Sequence, residues 1–207
     1  MNEQWAAYQD SKAFADRVAT LYGAGEDVLA LQKARYGKLV ERFEARFGAQ
    51  KGGLCFFSAP GRTEIGGNHT DHNHGRVLAA SVNLDVIAVA APRADGRVRV
   101  KSKGYDMDEV SLDDLDVRDA EKNHSAALVR GTAARFAQLG YRVGGFDAYT
   151  ASDVLRGSGL SSSAAFEMGV AIILNTEYGC GLDAPALARI CQFAENTYFG
   201  KPSGLLD

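Results

Sequence analysis

Apolar residues recur at helical spacing over residues 1–48. Phe14, Val18 and Leu21 are spaced to share one face of a helix, and a second apolar stripe runs from Leu39 to Phe47. The glycine directly after this stripe is typical of a helix C-terminus. The pattern predicts a helical segment that ends near residue 48.

Short apolar runs rich in β-branched and aromatic residues predict strands farther along the chain. The first is Leu54–Ser58, and the turn-forming sequence Ala59-Pro60-Gly61 is expected to end it. Residues 77–91 and 98–101 flank an Asp-Gly dipeptide, so they are predicted to form a β-hairpin. The acidic stretch 106–119 is expected to be an irregular surface excursion.

The second half of the chain alternates helical and strand patterns. Helices are predicted at 123–139, from about Ser162 to Thr176, and from Asp183 to a point before Gly200; a strand is predicted at 145–152. Because hairpin strands are mixed with helices, the elements predict an α/β (α+β) fold. Its sheet is expected to be mixed, partly antiparallel and flanked by helices.

The amino-acid composition limits the kinds of protein that this chain can be. The 207 residues are 46% apolar and 24% charged, which is typical of a globular protein able to bury a core. A net charge of −3 gives no electrostatic footprint for nucleic acid or an anionic membrane. No apolar run has the length of a membrane span. Because the N-terminus is polar and the three cysteines lack metal-ligand spacing, we expect a cytoplasmic protein that binds neither nucleic acid nor membrane.

A glycine- and serine-rich turn precedes the helix predicted from Ser162. It comprises Gly157, Ser158, Gly159, Leu160, Ser161, Ser162 and Ser163. Glycine permits close backbone approach, and serine is a preferred N-cap because its hydroxyl accepts a hydrogen bond from the first helical turn. The N–H groups and dipole at a helix N-terminus favour a bound phosphate. The turn therefore has the composition of a phosphate-binding loop.

Three common motifs do not fit this turn. No lysine follows the glycines as it does in a P-loop, and Ser162 stands where the dinucleotide fingerprint has its third glycine. Ser163 occupies the closing glycine position of a hydrolase nucleophile elbow. Two interpretations stay open: a phosphate-binding loop of another type, or a glycine turn that caps a core helix.

The polar segment Arg62–Gly75 concentrates potential ligands between two predicted strands, and it can be a solvated turn, a metal site or a sugar site. A metal site would draw on the imidazoles and carboxylate of His69, Asp71, His72 and His74. Binuclear zinc hydrolases use His-x-His-x-Asp-His, and Gly67 stands at the first position of that pattern. A sugar site would use the amide, imidazole and carboxylate of Asn68, His69 and Asp71, which suit vicinal hydroxyls.

Three stretches, in order, resemble the galactokinases of the GHMP small-molecule kinase family. SAPGRTEIGGNHTDHNHG, at 58–75, is similar to their signature, usually Pro-Gly-Arg-x-Asn-x-Ile-Gly-Glu-His-x-Asp-Tyr-x-x-Gly. RGSGLSSSAAFE, at 156–167, resembles the ATP-binding motif of the wider family. AENTYFGKPSGLLD, at 194–207, resembles the stretch that begins with a metal-associated glutamate and ends in the catalytic aspartate.

The resemblance implies a kinase that converts galactose and ATP to galactose 1-phosphate and ADP, with Mg²⁺ as cofactor. By position, it implies that Arg62 and Asp207 form the catalytic pair. The other implied residues are Asn68, His69, Asp71 and Gly204 for the sugar, Gly157, Ser158, Gly159, Leu160, Ser161, Ser162 and Ser163 for ATP, and Ser163 with Glu195 for the metal.

Departures from the galactokinase pattern bear on the identity of the sugar. Asn68 stands where galactokinases have a glutamate that binds a sugar hydroxyl, and an amide is not the same charged acceptor. The other departures are Glu64 for asparagine, Gly66 for isoleucine, His72 for tyrosine, Ser203 for cysteine, and Leu155-Arg156 for Pro-Leu. A kinase for a related monosaccharide and a non-catalytic sugar and ATP sensor are therefore alternatives. The intact Gly159–Ala164 stretch favours catalysis.

The resemblance also implies a domain plan. Residues 1–48 are expected to form an N-terminal helical extension, and 49–207 the GHMP kinase N-terminal domain. Members of the family carry a ferredoxin-like C-terminal domain that closes over the substrates. Because the sequence stops at Asp207, we expect that domain to be absent and the fragment to be inactive alone.

Overall fold

The computed structural model describes residues 2–50, 53–155 and 157–206. The helices are α1 (Glu3–Gln9), α2 (Lys12–Tyr22), α3 (Glu26–Phe47), α4 (Ser125–Gln138), α5 (Ser162–Glu177) and α6 (Ala184–Ala194). The strands are β1 (Cys55–Gly66), β2 (Leu78–Arg93), β3 (Arg97–Ser102), β4 (Met107–Ser111) and β5 (Gly145–Ser152). Asp207, the predicted catalytic carboxylate, lies outside the described residues.

Local capping explains where the N-terminal helices begin and end. The side chains of Asn2 and Ser11 accept hydrogen bonds from backbone N–H groups in the first turns of α1 and α2. Helix α3 ends at Gly48, whose φ of 78° is the left-handed conformation that favours glycine. The predicted apolar face is confirmed at Phe14 and Val18 but is wrong at Leu21, which is 44% exposed.

Within the described residues, five strands form one mixed sheet in the order β1-β2-β5-β3-β4. Neighbouring strands are antiparallel, except that β3 and β5 are parallel. The predicted hairpin is wrong in its pairing, because β5 lies between its two strands and Tyr149 pairs with both Val89 and Lys101. Phe146 and Ala148 of β5 are completely buried in this central position.

Helices cover both faces of this sheet. Along β2, Ile87, Val89 and Ala91 pack in the core formed with α1–α3, whereas Ala88 and Ala90 pack in the core formed with α4–α6. The predicted α/β class is therefore confirmed. The predicted division at residue 48 stays a prediction. None of the helices in the described ranges has both the length and the apolar character needed to cross a membrane.

Strand β1 continues through the Ala59-Pro60-Gly61 sequence that was predicted to end it. Proline is tolerated in an edge strand, and the register of β1 against β2 shifts between Pro60 and Arg62. At this irregularity the chain meets the glycine- and serine-rich turn, since a Cβ on Gly61 would lie 2.8 Å from the carbonyl oxygen of Leu160. The acidic stretch 106–119 was also predicted wrongly in part, because β4 lies within it.

Candidate active site

The glycine loop, residues 157–163, lies between β5 and α5 and includes the first two residues of α5. Gly157 and Gly159 have φ of 77° and 75°, a conformation in which other residues are strained. The predicted helix start at Ser162 is confirmed, but the predicted capping hydroxyl is wrong. Ser161 has φ of 56°, and its side chain makes no capping hydrogen bond to α5. The first-turn N–H groups are thus not taken by this hydroxyl, which suits an external anion.

Arg62, in the second half of β1, joins three segments that are distant from one another in sequence. Its Nη1 donates to the carbonyl oxygen of Gly159 at 2.8 Å, and its Nε donates to the carbonyl oxygen of Leu206 at 2.8 Å. Its Nη2 lies 2.9 Å from Nε2 of His69. Because a guanidinium only donates, Nε2 accepts and the neutral ring carries its proton on Nδ1. The Arg62 guanidinium therefore contacts the glycine loop, the histidine segment and Leu206, the residue before Asp207, at the same time.

The histidine loop, residues 67–75, is held by its own backbone and by Glu64. His69 has φ of 52°, and its N–H donates to Oε1 of Glu64 at 3.0 Å. The N–H of Gly75 donates to the carbonyl oxygen of Thr70 at 2.8 Å, and a Cβ on Gly75 would overlap the Thr70 side chain. These hydrogen bonds fix the backbone conformation of the loop that carries the polar side chains.

Asp71 connects the histidine loop to the segment before residue 207. Its Oδ2 accepts a hydrogen bond from the N–H of Leu206 at 2.8 Å, and a Cβ on Gly204 would lie 1.7 Å from this oxygen. Burial alone would raise the pKa of Asp71, but hydrogen bonds from the backbone N–H groups of Leu206, Asp71 and His72 outweigh it, so the pKa is lowered. The carboxylate is thus ionised at neutral pH. Only glycine fits at position 204 without displacing it.

A second cluster of polar side chains lies next to the glycine loop. Oγ of Ser163 donates to Oε1 of Glu195 at 3.0 Å, and Nζ of Lys201 lies 3.4 Å from the same oxygen. Glu195 is 2% exposed and begins a π-helical turn that follows α6, an irregularity often found at functional sites. Glu167, four residues after Ser163 on α5, is also buried, and its Oε1 has no hydrogen-bond partner in the described part of the chain.

The two acidic side chains affect one another. Burial raises the pKa of Glu167 well above its ordinary value, and the nearby Glu195 carboxylate raises it further. Burial and the Glu195 carboxylate therefore favour the neutral form of Glu167, while Lys201 lies as a cation beside Glu195.

The structure brings together most of the predicted site residues that it describes. Arg62, His69, Asp71 and Gly204 form one group with Gly159, and Ser163 pairs with Glu195. Asn68 is exposed on the histidine loop, and Asp207 lies outside the described residues. Sequence reasoning missed the anchoring role of Glu64, the backbone of Leu206 and the buried Glu167. Only Glu167 gave a signal, as the one charged residue in an apolar helical run.

Two family profiles match this fold and site. A profile described as the GHMP kinases N terminal domain matches residues 127–207, which include the glycine loop and the Ser163–Glu195 pair. The Galactokinase galactose-binding signature matches residues 41–92, which include Arg62 and the histidine loop. The chain is thus similar to the N-terminal domain of the GHMP kinases and corresponds to the N-terminal portion of the galactokinases that it matches.

Individual relatives agree with this assignment. The chain is 37% identical to the Streptomyces coelicolor galactokinase over 171 residues, 83% of this chain and 44% of that protein. It is 37% identical to the Bacillus subtilis galactokinase over 80% of this chain and 43% of that protein. The solved Lactococcus lactis galactokinase complexed with galactose matches with a TM-score of 0.77 and 30% identity over 84% of this chain and 45% of that chain. The chain thus spans less than half the length of these relatives.

Proposed function

We propose that the complete protein is a galactokinase, which transfers the γ-phosphoryl group of ATP to the anomeric hydroxyl of galactose. The products are galactose 1-phosphate and ADP. The observation that carries the proposal is the position of Arg62, which binds the glycine loop, the histidine loop and the backbone of Leu206 at once. Phosphoryl transfer depends mainly on such positioning and on charge neutralisation.

The sugar is proposed to bind the histidine loop. His69 and the ionised Asp71 offer acceptors and a donor for neighbouring hydroxyls, and the backbone at Gly204 approaches the same carboxylate. Asn68 is proposed to contact a further hydroxyl, with an amide in place of a charged acceptor. The solved galactokinase that shares this fold contains galactose, which supports a monosaccharide as the ligand of this chain.

The phosphates of ATP are proposed to bind the glycine loop at the N-terminus of α5. Mg²⁺ prefers oxygen ligands, and Ser163 and the buried Glu195 supply a hydroxyl and a carboxylate 3.0 Å apart beside that loop. These residues therefore fit the ion, and Ser163 and Glu195 would hold it. When bound, Mg²⁺ supplies positive charge that neutralises the phosphate oxygens.

Asp207 is proposed to accept the proton of the anomeric hydroxyl or to orient it. Arg62 donates to the carbonyl oxygen of Leu206, the residue before Asp207 in sequence, and its guanidinium would keep a neighbouring carboxylate ionised. Arg62 would also stabilise negative charge that develops during transfer.

The test is ADP release by the complete protein and its Asp207→Asn variant, measured with galactose, other hexoses and arabinose. The variant is expected to lose about 100- to 10,000-fold in kcat, the usual contribution of a positioned proton acceptor. Asp113→Asn, a change at an exposed aspartate of the 106–119 stretch, serves as the matched control. Near-normal turnover of Asp207→Asn would rule out the proposed role.

The same panel tests the alternative substrates. Asn68 in place of the signature glutamate favours a kinase for a related sugar, in which case another member of the panel gives the highest kcat/KM. Absence of ADP release with every sugar, together with measurable ATP binding, would favour the sensor. The cytoplasmic location expected from the sequence stays a prediction.

A further inference from the structure

The histidine loop places three metal-ligand groups together, two of which, His69 and Asp71, are also the proposed sugar ligands. His69, Asp71 and His72 each offer one ligand atom, and these atoms lie within 4.8 Å of one another. Nδ1 of His69 and Oδ1 of Asp71 are 3.3 Å apart. Two ligands of a tetrahedral Zn²⁺ ion are separated by about 3.4 Å when each bond is about 2.1 Å long. This pair already has the spacing of two zinc ligands.

The two carboxylate oxygens of Asp71 differ in their hydrogen bonding. Oδ2 accepts the Leu206 N–H, whereas Oδ1 is buried, makes no well-aligned hydrogen bond among residues 2–50, 53–155 and 157–206, and has Nδ1 of His69 as its polar neighbour at 3.3 Å. Buried polar atoms normally have partners, so this oxygen has unused capacity to bind a cation. His72 is exposed, and its ligand atom lies within 4.8 Å of those of His69 and Asp71.

The charges around the loop determine the affinity of such a site for a metal ion. The carboxylates of Asp71 and Glu64 favour a cation, and Glu64 accepts the backbone N–H of His69. The Arg62 guanidinium, 2.9 Å from Nε2 of His69, is positively charged and disfavours the binding of a cation. A metal ion therefore has to compete with Arg62 for this imidazole.

We propose that His69, Asp71 and His72 form a Zn²⁺ site that is occupied when the sugar is absent. If the ion binds Nδ1 of His69, the proton of the neutral ring moves to Nε2, which can then no longer accept from Arg62. If it binds Nε2, it takes the lone pair that Arg62 uses. In either case the metal ion releases Arg62 from the histidine loop, so the metal-bound protein lacks the proposed catalytic arrangement.

The test is a calorimetric Zn²⁺ titration of the chelator-treated 207-residue chain in a non-coordinating buffer at neutral pH. The wild-type chain is expected to bind one ion at this site. His72→Tyr, which introduces the residue of the galactokinase signature, is expected to weaken binding at least about tenfold because one ligand is lost. His74→Asn is the matched control, since His74 lies in the same loop outside the cluster and asparagine tolerates its φ of 62°. Circular dichroism establishes that each variant is folded.

Three results would overturn the metal site: no binding by the wild-type chain, equal binding by His72→Tyr, or equal weakening by His74→Asn. A further titration with galactose present rests on the proposed function, because His69 and Asp71 are also the proposed sugar ligands. Galactose is expected to weaken zinc binding. If galactose leaves zinc binding unchanged, the proposed sugar site and the proposed competition between sugar and zinc are both contradicted. The titrations of the variants test the metal site independently of the sugar.

Discussion

Asp85 ties the N-terminal helices to the sheet, and its replacement by asparagine is expected to destabilise the whole chain. Its side chain is 3% exposed. Oδ2 accepts the hydroxyls of Tyr22 and Ser58, and Oδ1 accepts Nη2 of Arg35 at 2.8 Å. Asparagine keeps the shape of the side chain, but it removes the charge and turns one acceptor into a donor.

The magnitude follows from the burial of this pair. Removing one partner of a buried ion pair costs about 3–5 kcal/mol, because the other charge stays uncompensated. Arg35 keeps a second contact, 2.6 Å from Asp153, but the Asp153 side chain is 54% exposed and compensates only in part. We therefore expect a loss of about 3 kcal/mol, near the lower end of that range. For a chain of this length, this lowers Tm by about 6–12 °C.

The assay is urea unfolding followed by circular dichroism, together with a thermal scan. Asp10→Asn is the control, because Asp10 also forms a 2.7 Å ion pair, with Lys33, but its side chain is 70% exposed. That change is expected to cost at most about 1 kcal/mol. If Asp85→Asn destabilises no more than Asp10→Asn, the reasoning from burial is refuted.

Two further predictions concern the site. Gly204→Ala in the complete protein is expected to raise KM for galactose about 5- to 150-fold, the equivalent of a 1–3 kcal/mol overpacking cost, with KM for ATP nearly unchanged. An unchanged galactose KM would contradict the close approach of Gly204 to Asp71. Because burial raises the pKa of Glu167, the stability it contributes is present below the ordinary carboxyl pKa and is lost as pH rises toward the folded-state pKa. In thermal scans without metal, Glu167→Gln should match the wild type near pH 4 and exceed it increasingly toward pH 8; a pH-independent difference would contradict this.

Local signals predicted the second half of the chain well. Helix α5 was predicted from Ser162 to Thr176 and runs to Glu177, and β5 has its predicted bounds. Asp183 caps α6 as expected, with its side chain accepting from the N–H of Ala186. Apolar periodicity and caps act over a few residues, so the sequence alone is enough to place them.

Pairing between distant segments could not be predicted in this way. The Asp-Gly dipeptide indicated a turn correctly, but nothing local indicates that β5 enters between the strands on either side of it. Pro60 looked like the end of a strand because its tolerance depends on β1 lying at the edge of the sheet. The family resemblance supplied Arg62 as a catalytic residue, yet its bond to the backbone of Leu206 depends on tertiary folding.

The three anchors of Arg62 also fix when its pocket can form during protein synthesis. They lie 7, 97 and 144 residues after it in the chain. Chains are made from the N-terminus at about 5–20 residues per second, so roughly 7–30 s separate the synthesis of Arg62 from that of Leu206. Until then the nascent chain holds this cation without its full set of partners, and a ribosome stalled before residue 206 carries an incomplete pocket.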